Sequence, residues 1–267
     1  MSKTSHALKY KTSFTTMATP ELDHARALEL AERYGFDGID LRVSDDRGEV
    51  KPGSPEEELI KIKNDFENAG IKIPALLCYK IDLSEGGEKM LLNLERHLDI
   101  AGILGAPWIR VFTGDPAKTA KPECFTSEYS GVIKKALAKR QEGPGILIQN
   151  HRGNAALGEI LEILKLVNDS RCNLVYSPDH LEEPDFDKTT GECMPYIREI
   201  YIADRNAGGK PVLPGSGIIP LGRIIKKLDS SGYRGFYTFK WERIWHQLPD
   251  VETAFPAFFQ FLQSQDG

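Results

Sequence analysis

The residues of this sequence that are best suited to chemistry follow short apolar runs. Ile146, Leu147 and Ile148 form an apolar run, which turns abruptly into the polar stretch Gln149-Asn150-His151-Arg152. Other runs end in the same way, with the side chains Arg110, Ser177, Asp179, His180, Tyr201, Asp204, Arg205, Lys240 and Glu242. Ligands of α/β proteins bind beyond the carboxyl ends of parallel strands, so this pattern predicts one shared site.

Two histidines in this set are suited to proton transfer. An unperturbed imidazole titrates near neutral pH, so His151 or His180 would serve as a general base. Asp179 or Glu242 would serve as the second acid or base. These residue types predict general acid–base catalysis.

Lys240 allows three interpretations. Its ammonium would stabilise an enolate-like oxygen. If burial lowered its pKa, the amine would instead act as a base or form a Schiff base. The third interpretation is a structural lysine paired with Glu242 or Asp204, because ion-pair networks also place lysines in clefts.

The elements that must position these residues recur in a regular order. Gly35, Gly70 and Gly105 each close a predicted helix, one after every 35 residues. Strands are predicted at 8–14, 38–42, 71–78, 107–112, 145–149, 173–176, 199–203 and 235–239. Helices are predicted from 19 and from 54, and at 88–104, 127–141, 154–167, 191–196, 220–228 and 253–262. Eight such units predict an α/β fold, a single (β/α)8 TIM barrel, with residues 1–267 as one domain.

An open, doubly wound sheet is the alternative fold. It would normally carry a phosphate-binding glycine fingerprint after its first strand, and none is present. Gly215-Ser216-Gly217 lacks both the preceding strand and a third glycine. We interpret it as a flexible loop in preference to a phosphate cradle.

The composition of the chain indicates which binding partners and which location to expect. The chain has 34 basic and 39 acidic residues among 267, and no basic run interleaved with aromatic residues, which argues against nucleic acid. No run approaches 18 apolar residues and residues 1–11 contain no apolar signal core, so no membrane span or secretion signal is expected. The scattered cysteines, of which Cys78 and Cys172 lie in apolar runs, favour a reducing, cytoplasmic location.

The last predicted helix is unusually rich in phenylalanine. Phe255, Phe258, Phe259 and Phe261 lie nearly all round it. This predicts burial against the barrel, or a subunit contact in a homo-oligomer.

Three segments carry a resemblance to a known family. The segments 36–42, 97–110 and 232–242 resemble the second strand, the third helix with the fourth strand, and the closing turn with the eighth strand of the xylose isomerase-like TIM barrels. This superfamily contains sugar phosphate isomerases and epimerases and the endonuclease IV enzymes. The resemblance covers nearly the whole chain.

The resemblance implies a divalent metal held by carboxylates and a histidine from strands five to eight. In this sequence those four positions fall on Gln149, Ser177, Tyr201 and Lys240. Such side chains are poor ligands for a hard or borderline cation. We therefore expect no metal or other cofactor. A divalent metal is expected only if the strand register is shifted, with Asp179, Asp204 and Glu242 as its ligands.

The resulting hypothesis is an isomerase, an epimerase or a related lyase that acts on a small sugar or polyol without the family's metal. The residues expected to bind the substrate are Arg110, Gln149, Ser177, Asp179, Tyr201, Asp204, Arg205 and Trp245. Gln149, Ser177 and Tyr201 would hydrogen-bond its hydroxyls, and Trp245 would either stack on the sugar ring or merely pack. The residues expected to be catalytic are Lys240, His151, His180 and Glu242.

Other functions remain open at this point. The protein would be a catalytically silent carbohydrate-binding barrel if it keeps the pocket but not the chemistry. It would be a metal-dependent sugar isomerase if the ligands are shifted. A DNA-repair nuclease of the endonuclease IV type needs several metal ligands and a basic face, and neither is evident.

Overall fold

The structure is a computed structural model that describes residues 8–46, 48–181 and 185–266. The strands are β1 Lys11–Thr15, β2 Gly38–Val43, β3 Ala75–Cys78, β4 Trp108–Val111, β5 Gly145–Gln149, β6 Cys172–Tyr176, β7 Ile197–Ile202, β8 Asp204–Arg205, β9 Pro211–Val212 and β10 Phe236–Phe239. The helices are α1 His24–Tyr34, α2 Glu56–Ala69, α3 Gly87–Leu104, α4 Phe125–Ala138, α5 Leu157–Val167, α6 Phe186–Cys193, α7 Leu221–Ser230 and α8 Val251–Gln263.

Eight of these strands close into a barrel. Their order is β1-β10-β7-β6-β5-β4-β3-β2, and every neighbouring pair is parallel. The short strands β8 and β9 form a separate antiparallel pair. Because β1 pairs with both β2 and β10, the sheet has no open edge. The predicted (β/α)8 fold is confirmed, and the doubly wound alternative is excluded.

Some of the predicted first residues of helices and strands are wrong, because a helix-capping side chain or a proline sets where the element begins. Helix α1 begins at His24 and not at 19, since the side chain of Asp23 accepts a hydrogen bond from the Arg26 N–H at 2.9 Å. Helix α6 begins at Phe186 and not at 191, after Asp185 caps it in the same way. Strand β3 begins only at Ala75, after a proline that cannot donate to the ladder.

Side chains of the barrel strands alternate between two apolar clusters. One set points outward and packs against the helices, as Phe14 and Ile39 do. The other set fills the barrel interior and comprises Ala75, Leu77, Leu147, Val175 and Tyr201, which pack with Met17 and Ile244 from beyond the strand ends. A residue two positions after an interior residue of the same strand also points inward. At the carboxyl end of a strand, such a residue therefore lies at the barrel mouth.

The phenylalanines of α8 cover one side of the barrel. The ring of Phe255 lies 4.8 Å from that of Phe14, and the ring of Phe258 lies 4.9 Å from that of Phe239, measured between centroids. Both Phe255 and Phe258 are fully buried. Burial against the barrel accounts for these two residues.

The structure bears on two expectations from the sequence, those on membrane-spanning segments and on the cysteines. Within the three described ranges, no helix combines the length and the apolar character needed to cross a bilayer. All four cysteines are free thiols, and Cys78 and Cys172 are buried in the apolar core.

Gly145 sets the packing of β5, the strand that carries Gln149 to the mouth. A Cβ at this position would lie 2.3 Å from the Trp108 ring and 2.5 Å from the carbonyl oxygen of Arg171. Neither the ring nor the backbone moves easily inside the barrel wall.

Gly145→Ala should therefore lower the free energy of unfolding by about 1–3 kcal/mol, the usual cost of overpacking. The matched control is Gly131→Ala in α4, where a Cβ meets nothing within 4 Å; it should raise that free energy by about 0.5–1 kcal/mol through helix propensity. Urea denaturation measures both. Equal effects of the two substitutions would contradict this account of β5.

Candidate active site

A cavity of about 340 Å³ opens at the carboxyl ends of the barrel strands. The predicted site residues that line it are Arg110, Gln149, His151, Lys240, Glu242 and Trp245. Sequence reasoning missed four further lining residues, Met17, Tyr79, Phe112 and Asn154. Tyr79 and Phe112 directly follow β3 and β4, so the strand-end pattern that found the others also applied to them.

Lys240 lies at the centre of a buried polar cluster. Its Nζ lies 3.0 Å from Asp179 Oδ2, 2.7 Å from His180 Nε2 and 3.6 Å from Glu242 Oε2. Only 2% of the Lys240 side chain is exposed. The register of β10 and β1 explains this placement, because Lys240 follows Phe239 and takes the next inward position above Thr238.

The carboxylates around Lys240 keep it charged. Burial alone would lower the pKa of Lys240, but the charges of Asp179 and Glu242 outweigh burial and raise it. In return, Lys240 holds the pKa of the buried Asp179 carboxyl well below its usual range, against the effect of its own burial. The geometry favours an ion pair and disfavours the neutral amine that a base or a Schiff base requires.

The two histidines of the cluster differ in which nitrogen is available. His180 Nε2 accepts a hydrogen bond from the Lys240 ammonium, so its lone pair is already used. Burial and the nearby Lys240 charge lower the pKa of His180 to about 2, which keeps the ring neutral. His180 therefore helps to hold the ammonium in place.

His151 offers a free lone pair. Its Nδ1 lies 2.7 Å from the carbonyl oxygen of Arg152, which can only accept, so Nδ1 carries the proton and Nε2 does not. Burial and the Lys240 charge lower the pKa of His151. The ring packs 3.9 Å from that of His180 and 4.9 Å from that of Phe112, between centroids. Of the two predicted bases, the geometry favours His151.

Ser177 and Tyr201 are near the cavity but do not line it. The Ser177 hydroxyl donates to Asp179 Oδ1 at 2.7 Å, and the Asn150 side chain holds the Ser177 backbone through two hydrogen bonds of 2.8 Å. Tyr201 is fully buried among the interior apolar residues, and burial raises the pKa of its phenol far above the usual range. Gln149 differs from both, because it lines the cavity.

Asp204 and Arg205 lie behind the site. The Asp204 carboxylate accepts hydrogen bonds from the backbone N–H groups of Arg205, Gly215, Gly217 and Ile219, at 2.8 to 3.1 Å. The loop after β9 that we predicted to be flexible is thus ordered around this one side chain. Arg205 donates to the carbonyl oxygens of Asp179 and Leu181 and supports the turn after β6. Neither residue lines the cavity.

A pair of carboxyl groups, which sequence reasoning missed, lies deeper in the barrel. Asp40 and Glu199 are buried and stand two residues before the strand positions of Arg42 and Tyr201. Burial, and for Asp40 also the charge of Glu199, raises the pKa of both carboxyls. Thr238 donates a hydrogen bond to Glu199.

Comparison with known proteins identifies the family. The profile of the xylose isomerase-like TIM barrels matches residues 28–264. The chain belongs to this family. No curated protein sequence matches it.

Solved structures show the same fold at low identity. They include the probable 3-DHS dehydratase AsbF of Bacillus anthracis (18% identity, 95% of this chain and 98% of the other, TM-score 0.74). The D-psicose 3-epimerase of Clostridium cellulolyticum H10, solved with D-tagatose, is 16% identical over 96% and 98% of the two chains, with TM-score 0.78. The IOLI protein, solved with a zinc atom, is 17% identical over 96% and 97%, with TM-score 0.77. At these identities the similarity establishes the fold alone.

The donors at the four family ligand positions do not fit a divalent cation. Gln149 offers a neutral amide, the Ser177 hydroxyl is committed to Asp179, the Tyr201 phenol stays protonated, and Lys240 is itself a cation. The shifted set does not converge, since Asp204 is bound to its own loop. Across the described ranges, no group of three or more His, Cys, Asp or Glu side chains is placed to hold a metal ion.

Asp179→Asn should lower the free energy of unfolding at pH 7 by about 2–4 kcal/mol, because it leaves the buried Lys240 charge poorly paired. Glu242→Gln is the matched control. Its carboxylate is farther from Nζ and more exposed, so its loss should cost less than about 1 kcal/mol.

The pH dependence of this stabilisation follows from the lowered pKa of Asp179. The stabilisation is complete above about pH 4, where an unfolded aspartate is ionised, and is lost as the pH falls through the folded value. Chemical denaturation from pH 7 towards pH 3 should show the gap between wild type and Asp179→Asn narrowing. A gap of constant size would contradict the ion pair.

Proposed function

We propose that the protein is an enzyme that moves a proton on a small sugar or polyol-derived substrate, as an isomerase, an epimerase or a related lyase, without a metal. The observation that carries the proposal is the buried ammonium of Lys240. It occupies the strand position where the family resemblance places an anionic metal ligand, beside the free lone pair of His151. Neighbours named as an epimerase and a probable dehydratase support this class of reaction.

The roles follow from the hydrogen-bond geometry. His151 Nε2 removes the proton from a carbon next to the substrate carbonyl, and the electrons of that C–H bond move to the carbonyl oxygen. Of the three N–H groups of the Lys240 ammonium, two point to Asp179 and His180, which leaves one for that oxygen. A fixed ammonium at this place stabilises the enolate electrostatically.

Glu242 completes the reaction. It lines the cavity next to Lys240 and serves as the second acid or base. In isomerisation, Glu242 moves the proton of the adjacent hydroxyl to the enolate oxygen, and His151 returns its proton to the former carbonyl carbon. Return of a proton to the other face of the same carbon gives epimerisation. In the lyase reaction, the enolate electrons expel a β-hydroxyl, which takes the proton held by His151 and leaves as water. Gln149 and Trp245 contact the substrate's hydroxyls and ring.

Lys240→Met should lower the rate of substrate C–H exchange by about 10²–10³-fold, the usual loss when a preorganised charge is removed. The assay is deuterium incorporation in D₂O, followed by ¹H NMR, with a panel of aldoses, ketoses and their acids. Lys226→Met, the same change at an exposed lysine of α7, is the control and should leave the rate unchanged. His151→Gln should also abolish exchange.

Three outcomes would contradict parts of the proposal. Undiminished exchange in Lys240→Met would remove the ammonium from the mechanism. Activity that disappears with EDTA and returns with Mn²⁺ would contradict metal independence. Sugar binding by the wild type with no exchange at all would select the silent carbohydrate-binding barrel.

A further inference from the structure

Arg110 is a second buried cation of the cavity. It follows Ile109 in β4, is 1% exposed and lines the cavity. Its guanidinium lies 4.7 Å from the centroid of the Tyr79 ring and 4.3 Å from that of Phe112. Contacts with two aromatic rings fix the plane of the guanidinium, so its N–H groups point in set directions.

The hydrogen-bonding capacity of Arg110 is incompletely used. Nη1 donates to the carbonyl oxygen of Cys78 at 3.3 Å, and Nε is buried without a hydrogen-bond partner. No carboxylate of the described residues lies within 4.0 Å of its guanidinium nitrogens. An unmet donor on a buried charged group is unfavourable, and a bound acceptor would satisfy the free donors of the guanidinium.

Lys240 provides the contrast within the same cavity. It has Asp179 and Glu242 as ion-pair partners. The charge of Arg110 acts to lower the pKa of both Lys240 and His151. Its electrostatic potential therefore extends to the two residues at which the substrate would react. The cavity thus contains one cation that is neutralised by the protein and one that lacks a carboxylate partner.

The missing partner is better matched by a carboxylate than by a phosphate. TIM barrels commonly bind phosphate with backbone N–H groups of the loops after the last two barrel strands. Here the N–H groups of Gly215, Gly217 and Ile219 are already occupied by Asp204. A single guanidinium with a fixed plane suits the planar, two-oxygen carboxylate group.

We infer that the substrate is a small sugar acid whose carboxylate binds Arg110 while its hydroxy-carbonyl end lies against His151 and Lys240. The second half of this statement rests on the proposed function. The first half, a carboxylate on Arg110, concerns binding alone and is tested by binding alone. The cavity of about 340 Å³ is within the range of small-molecule sites.

The test compares acids with their neutral partners at constant ionic strength. The probes are D-glucuronate against D-glucose, D-galacturonate against D-galactose, and D-gluconate against sorbitol, with D-glucose 6-phosphate as the phosphate arm. Calorimetry gives the affinities, and the fluorescence of the half-exposed Trp245 at the cavity gives a second readout. At least one acid should bind wild type ten or more times tighter than its neutral partner.

Variants assign that preference to Arg110. Arg110→Gln should abolish it, and Arg110→Lys, which keeps the charge, should retain part of it. Arg33→Gln is the matched control, since Arg33 also lies over a tyrosine ring, that of Tyr34, but on the exposed surface of α1. If Arg110→Gln fails to fold, the wild-type pairs and Arg110→Lys still decide.

The outcomes separate this inference from the proposed function. No acid binding tighter than its neutral partner, or an equal preference in Arg110→Gln, would overturn the inference. Tighter binding of the 6-phosphate than of every acid would also overturn it and assign the subsite to phosphate. Acid binding without C–H exchange would support the subsite and overturn the catalytic proposal, whereas exchange of neutral sugars without acid preference would do the reverse.

Discussion

An ammonium buried as deeply as that of Lys240 must find acceptors inside the protein, because an unpaired charge in the interior costs several kcal/mol. That requirement organises one side of the barrel mouth. Asp179 must stay ionised, His180 must stay neutral with its Nε2 lone pair available, and the Ser177 hydroxyl must turn towards Asp179. Asn150 in turn fixes the backbone of Ser177. Ser177 and Lys240, at two of the four positions where the family resemblance places metal ligands, therefore belong to one interdependent network.

Two further residues that line the cavity, His151 and Arg110, lie outside that network. The free lone pair of His151 faces the same space, and Arg110 adds a second positive charge on another strand. Deeper in the barrel, burial raises the pKa of both the Asp40 and the Glu199 carboxyl, which disfavours their charged forms. A substrate that develops negative charge on an oxygen would meet two fixed cations, and of these Lys240 is paired with Asp179 and Glu242.

The fold and much of the cavity lining were predictable, because both depend on local patterns. The strand-end pattern located Arg110, Gln149, His151, Lys240 and Glu242, since parallel strands bring their carboxyl ends together whatever the loops do. The hydrogen-bond partners of these polar side chains could not be predicted from local patterns. Whether a carboxylate faces a substrate or a backbone loop depends on tertiary contacts.

Two cases show this limit. Asp204 stands at a strand end like the others, yet its oxygens are taken by a loop that is distant in sequence. The two histidines are of the same residue type, and only the three-dimensional positions of Lys240 and the Arg152 carbonyl distinguish His151 from His180.

The most direct test of the account is NMR of ¹³Cε-labelled lysine, with the Lys240 signal assigned from Lys240→Met. We expect that signal to remain that of an ammonium up to and beyond pH 10.5, the ordinary lysine pKa. Deprotonation below pH 9 would contradict a fixed cation at the carboxyl end of β10.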